Sequence, residues 1–189
     1  MGASVGRFIL TVVGKDHPGI VAGIANTLYE YECNIQEVNQ TVLSDEFAMI
    51  MLLQPTREID IQGLEDSLRE CCEALEMTYT LRPATILPGF SPAPPKDKVM
   101  VTVIGADRIG IVAGVAKVLA DRNINILELS TAPSYMIHDE PQYTMIARVE
   151  VNDDVDMPEL RKALEDCARS LSVEINIQSQ EIFNAMHKI

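Results

Sequence analysis

The chain has 189 residues, 47% of them hydrophobic, and sets 28 acidic against 15 basic side chains for a formal net charge of −13. Such a surface repels phosphate backbones and anionic lipid, which argues against direct binding of nucleic acid or membrane, and no apolar run approaches a membrane span. The N-terminus has no basic-then-apolar leader, and Cys33, Cys71, Cys72 and Cys167 show no CxxC spacing and no neighbouring histidine, so buried thiols in a cytoplasmic, reducing setting are expected.

Residues 1–6 read as a loose terminus. A β-favouring run over 7–13 leads into Gly14-Lys15-Asp16-His17-Pro18-Gly19, a strand-to-helix turn. Ile20, Ile24, Leu28 and Tyr31 then recur at helical spacing as one apolar stripe. Asn34 is expected to stop that helix in a left-handed conformation. Residues 35–43 read as a second strand, Ser44-Asp45-Glu46 as a hairpin turn and 47–53 as a third strand. The third run is almost wholly apolar; a helix fits its periodicity too, but its length and the preceding turn favour a central strand buried on both faces. Asp60 is placed as the N-cap of a second helix that carries Leu64, Leu68, Cys71 or Cys72, and Leu75 on one face. Residues 77–81 alternate as a fourth strand. The order β-α-β-β-α-β predicts an α+β, ferredoxin-like arrangement: an antiparallel four-stranded sheet with both helices on one face.

Pro83, Pro88, Pro92, Pro94 and Pro95 make 83–98 a semi-extended linker, with proline-rich recognition as the alternative. The first pattern then recurs. A β run over 99–104 meets Gly105-Ala106-Asp107-Arg108-Ile109-Gly110, and Ile111-Val112-Ala113-Gly114 repeats Ile20-Val21-Ala22-Gly23. The match continues without a gap through Leu28/Leu119, Asn34/Asn125, Ile35/Ile126 and Glu37/Glu128. A period near ninety residues is too long for a solenoid unit and suits two copies of one small domain. The second hairpin is longer, residues 132–142, before a strand over 143–151. Asp156-Met157-Pro158-Glu159 has the capping-box form, and Leu160, Leu164, Cys167 and Leu171 match Leu64, Leu68, Cys71 and Leu75. The expected organisation is a first domain over 1–82, a linker over 83–98, a second domain over 99–180, and 181–189 as a tail or short helix. Domains this small hide little surface, so mutual burial or homo-oligomerisation is expected.

A catalytic constellation is missing. His17, His138 and His187 are scattered, no HExxH or GxSxG occurs, and Ile20-Val21 stand where a phosphate loop needs Lys and Ser or Thr. No cofactor and no metal is expected, and a sheet offering Met49 and Met51 is unlike one that reads RNA bases on exposed aromatics. What the turns do offer is a helix start, where amide hydrogens and a partial positive charge suit a small carboxylate. The glycines also have a purely structural reading, close packing of helix on sheet.

With this topology, the paired Asp-x-x-Gly-Ile-Val turns and the Asn-Ile after each first helix, each half resembles an ACT domain, a sensing module best known for binding amino acids. The tandem layout is similar to that of paired-ACT regulators of transcription; Asp45-Glu46-Phe47 leading into Ile50-Met51-Leu52-Leu53 adds to this. The resemblance implies a non-catalytic regulator. Its ligand would be a small amino acid, glycine or serine, held at an interface between two domains. Its partner would be a protein, a DNA-binding transcription factor of glycine or one-carbon metabolism. Carried over by position, the ligand-binding residues would be Asp16, His17, Pro18, Gly19, Ile20 and Asn34, then Asp107, Arg108, Ile109, Gly110, Ile111 and Asn125. Turn amides would hold the ligand carboxylate, Asp16 or Asp107 would accept from its ammonium, and the asparagine could do either. Arg108 in place of His17 and Ile109 in place of the turn proline make the two sites unequal.

Overall fold

The structure, a computed structural model, describes residues 6–84, 97–137, 140–180 and 183. It divides into two compact units, Met1–Phe90 and Ser91–Ile189. In the first, β1 (Phe8–Lys15), α1 (Ile20–Glu30), β2 (Cys33–Leu43), β3 (Glu46–Pro55), α2 (Ile61–Ala74) and β4 (Met77–Pro83) follow in chain order. The second repeats the order with β5 (Asp97–Ala106), α3 (Ile111–Ala120), β6 (Asn125–Ile137), β7 (Glu140–Val151), α4 (Met157–Leu171) and β8 (Val173–Ser179). The sheets are antiparallel, ordered β2-β3-β1-β4 and β6-β7-β5-β8. This is the ferredoxin-like α+β arrangement, twice.

Each core lies between sheet and helices. In the first module Phe8, Leu10 and Val12 of β1 and Phe47, Met49, Met51 and Leu53 of β3 meet Ile20, Ile24 and Leu28 of α1 and Leu64 and Leu68 of α2. In the second, Val99, Val101 and Val103 and Met145, Ala147 and Val149 meet Ile111, Val115, Leu119, Leu160 and Leu164. Alternation with period two puts these strand residues on one face of each sheet.

Two pairs of glycines let the elements close up. A Cβ on Gly14 would sit 2.7 Å from Met77 Sδ and 3.1 Å from the Glu76 carbonyl oxygen; one on Gly105 would sit 2.8 Å from Val173 Cγ1 and 3.1 Å from Val173 Cα. On Gly23 and Gly114 it would meet Leu75 and Cys71, and Leu171 and Cys167, between 3.0 and 3.3 Å away, where α1 lies on α2 and α3 on α4. Close packing therefore accounts for these four.

Three local expectations are corrected. Asn34 is not the left-handed stop: Glu32 takes that conformation (φ 51°), as Asn123 does in the second module (φ 55°), and Asn34 already pairs with Gln54 in the sheet. β3 is central but buried on one face only, with Ile50 exposed on the other. The second hairpin is longer because its strands are longer, β6 reaching Ile137 and β7 starting at Glu140, with the register shifting between Ala132 and Tyr135. Of the expected linker, residues 85–96 lie outside the described residues; so do His138, His187 and residues 181, 182 and 184–189.

Candidate functional site

Each module has one helix whose start is closed and one whose start is open. At α2 the Asp60 carboxylate accepts from the Gly63 amide at 3.1 Å, and at α4 Asp156 accepts from the Glu159 amide at 3.0 Å. These are ordinary side-chain caps on the orphan amides of a first turn. At α1 and α3 the N-cap residues are Gly19 and Gly110, both left-handed (φ 104° and 101°), with no side-chain cap and no acidic residue in the first turn. Nothing lies within 4 Å of a Cβ built on either, so these two glycines answer to backbone conformation and not to crowding. The first-turn amides of α1 and α3 are thus left to solvent or an external acceptor, beside exposed Asp16 and Asp107.

The first turn is braced from two sides. The Asp16 amide donates to the Asp45 carbonyl at 2.8 Å, which ties the turn to the β2–β3 hairpin. His17 Nδ1 lies 3.0 Å from the Pro18 carbonyl oxygen and Nε2 lies 2.9 Å from the Leu75 carbonyl oxygen at the end of α2. Those bonds to Leu75 and then Pro18 raise the imidazole above its ordinary pKa; desolvation opposes them, and the carboxylates of Asp16 and then Glu76 add smaller upward contributions. Both ring nitrogens are occupied by the backbone, so His17 supports the turn and has no ring nitrogen free for a guest.

The second turn is built differently. Arg108 is exposed, with no hydrogen bond or ion pair among the described residues, and Ile109 is fully exposed. Tyr143 stands where the first module has buried Phe47, paired with Gly105 as Phe47 is with Gly14. Burial, and then the Asp107 carboxylate, raise the phenol above its usual pKa, which places Asp107 within electrostatic reach of a hydroxyl donor.

Asn34 and Asn125 sit elsewhere. Both are exposed at the start of an edge strand, just before a bulge (Ile35/Glu37 and Ile126/Glu128). Asn34 lines a cavity of about 690 Å³ with Tyr29, Glu30, Glu32, Ile35 and Thr56, at the C-terminal end of α1. The turn is at the other end of that helix, whose 11 residues span about 16 Å at ~1.5 Å each. A ligand the size of glycine cannot touch both within one module. Tyr29, Glu30 and Thr56 at the cavity, and Tyr143 at the second turn, were not singled out from sequence; the repeat aligns Tyr143 with Phe47, which was a usable signal.

The thiols are poorly suited to chemistry. Burial raises the pKa of Cys33 and Cys167, and that of Cys72 to about 11 with a smaller effect from Cys71. Among the described residues no cluster of three or more His, Cys, Asp or Glu side chains could hold a metal, and no helix is long and apolar enough to cross a membrane.

A family model for the ACT domain matches residues 7–81 and again 97–178. The chain is similar to a UPF0237 protein of Methanocaldococcus jannaschii, 44% identical over 93 residues, which is 49% of this chain and 98% of that protein. A UPF0237 protein of Streptococcus mutans is 41% identical over 92 residues, 49% of this chain and 99% of the relative. These relatives have the length of one module. Two solved structures carry the tandem fold: an unknown protein from Galdieria sulphuraria (TM-score 0.78, 24% identity, 92% of this chain and 98% of that one), and a candidate glycine cleavage system transcriptional repressor (TM-score 0.67, 18% identity, 92% and 96%).

Proposed function

This chain belongs to the ACT-domain family, and from that premise we propose that it is a non-catalytic, cytoplasmic regulatory protein that senses a small amino acid and passes the signal on through protein contact. The observation that carries the reading is the doubled open helix start. Of the two helices in each module only α2 and α4 carry a side-chain cap, on extended Asp60 and Asp156, while α1 and α3 start from left-handed glycines beside Asp16 and Asp107. An amino-acid carboxylate suits the amides of Gly19, Ile20, Gly110 and Ile111, and its ammonium suits the aspartates. Pro18 and Ile109 set the entry into each helix.

Asn34 and Asn125 join such a site only if a second module supplies them. α1 exposes Val21, Ala22, Asn26 and Tyr29 with one charge, Glu30, and α3 exposes Val112, Ala113 and Ala120 with one charge, Lys117, whereas α2 exposes Asp66, Arg69, Glu70 and Glu73. We propose that a second copy of the chain supplies such a module, so that homo-oligomerisation belongs to this reading. A ligand-independent interaction module is the second reading, favoured by the same weakly charged faces.

Glycine and then serine are the first ligands to test, and a transcription factor of glycine or one-carbon metabolism is the first partner. The net charge of −13 suits a basic protein surface and not DNA itself. The deciding experiment is thermal unfolding of the chain against every common amino acid. A ligand at 100 times its Kd adds about 2.7 kcal/mol and raises the melting temperature by several degrees. No shift with any amino acid defeats the sensing reading. A dimer whose size and stability ignore all of them supports the interaction module instead.

A further inference from the structure

We infer that His17 is a proton-dependent latch that fastens the first β1–α1 turn to the end of α2, and that the second module, with Arg108 in its place, has none. The latch stands on the geometry of one side chain. Its consequence for a ligand rests on the function proposed above.

Two carbonyl oxygens face the two ring nitrogens, Pro18 at 3.0 Å and Leu75 at 2.9 Å. A carbonyl only accepts, so both nitrogens must donate. A neutral imidazole has one N–H, and only the imidazolium satisfies both partners. The Leu75 contact is the tertiary one, joining residues 58 apart in sequence. Leu75 is the C-cap of α2, where unpaired carbonyls concentrate partial negative charge and favour a cation. The charged groups facing the ring are also acidic: Asp16 from its own turn and Glu76 from the α2–β4 junction. Loss of the proton leaves a lone pair against one of the carbonyls, and one bond must open.

The second module has no matching imidazole. Arg108 stands in its place and makes no hydrogen bond or ion pair among the described residues. The residues matching Gly14, Glu76 and Met77 are Gly105, Ser172 and Val173, and they line an open cavity of about 400 Å³. Where the first module has a side chain bonded across the turn, the second has this cavity.

The sign follows from the raised folded-state value. The latch is complete below the ordinary imidazole pKa of 6.5 and is lost as pH rises through the higher folded-state value. A carboxylate held at the first turn would add to the charges that keep the ring protonated. Its binding there would weaken with rising pH, while binding at the second turn would not.

The experiment is side-chain ¹⁵N NMR of the full chain, with His17 assigned by its absence in His17→Gln. Both ring nitrogens should be protonated at pH 6.5, with a midpoint above that of the same residue in the urea-unfolded chain. Amide exchange of residues 16–22, corrected for intrinsic rate, should speed up several-fold through that midpoint. This step should vanish in His17→Gln and be absent at residues 107–113. A single neutral tautomer from pH 5 to 8, or a midpoint at or below the unfolded one, overturns the latch. Neither readout needs a ligand, so failure of amino-acid sensing leaves the latch standing, and the reverse holds too.

Discussion

The two modules share an order of elements and differ in how much packing stands behind each. Along the leading strand the first module buries Phe8, Leu10 and Val12 where the second buries Val99, Val101 and Val103; along the facing strand Met51 and Leu53 give way to Ala147 and Val149. The turns follow the same trend. The first is braced by Asp45 and His17, and the second ends in a bare arginine and an exposed isoleucine. Duplication thus preserves what the backbone requires, namely the glycines and the helix stripes, while bulk and bracing are free to diverge. The comparison teaches that the fold needs the glycine pattern but not a particular core volume or turn side chain.

Core truncation should separate the modules most. Leu10→Ala is expected to cost about 3 kcal/mol, within the range for fully buried leucines, and Val101→Ala nearer ~2 kcal/mol, at ~0.8 kcal/mol per buried methylene. Module-resolved hydrogen exchange under urea reads both, and equal losses would contradict the difference in core bulk. Next come the glycines at the strand ends, where the order reverses. Gly105→Ala pushes a methyl into Val173 and its backbone, which cannot move aside, and should cost about 2 kcal/mol; Gly14→Ala meets the flexible end of Met77 first and should cost ~1 kcal/mol. A larger effect at Gly14 would show that Met77 is pinned or that the Glu76 carbonyl at 3.1 Å cannot give.

At the helix starts the modules should instead agree. Gly19→Ala and Gly110→Ala have open space but positive φ, so each should lose about 1–2 kcal/mol from backbone conformation alone. Unequal losses in chemical unfolding would mean that the turns differ in backbone as well as in side chains. The smallest effect is a gain. Ile109→Pro installs the residue that the first module has as Pro18, and should stabilise the second by about 0.5 kcal/mol through the unfolded chain. A melting temperature that falls would show that the second turn does not share the φ of the first.

Much of this was legible because hydrophobic period and turn chemistry are local. The stripes Ile20/Ile24/Leu28 and Ile111/Val115/Leu119, and the caps Asp60 and Asp156, form as expected from sequence. The sequence points to Asn34 because asparagine tolerates left-handed backbone; which residue must adopt it depends on where β2 begins to pair, and that puts the conformation on Glu32. Aligning the repeats would have found it, since Asn123 matches Glu32 and not Asn34. The composition of the third strand predicts burial on both faces because it shows apolarity, but not which face the helices cover.

Residue order alone therefore determined the duplication, the class of fold and the open helix starts, all of which show in short local patterns and in their recurrence along the chain. Only the tertiary structure decided that Asn34 lies a helix length from its turn, that Gly14 and Gly23 serve close approach while Gly19 serves conformation, and that His17 reaches across 58 residues to a carbonyl of Leu75. Contacts between distant parts of a chain are set by how the layers pack, and that packing is a sum over the whole core which no local run of residues contains.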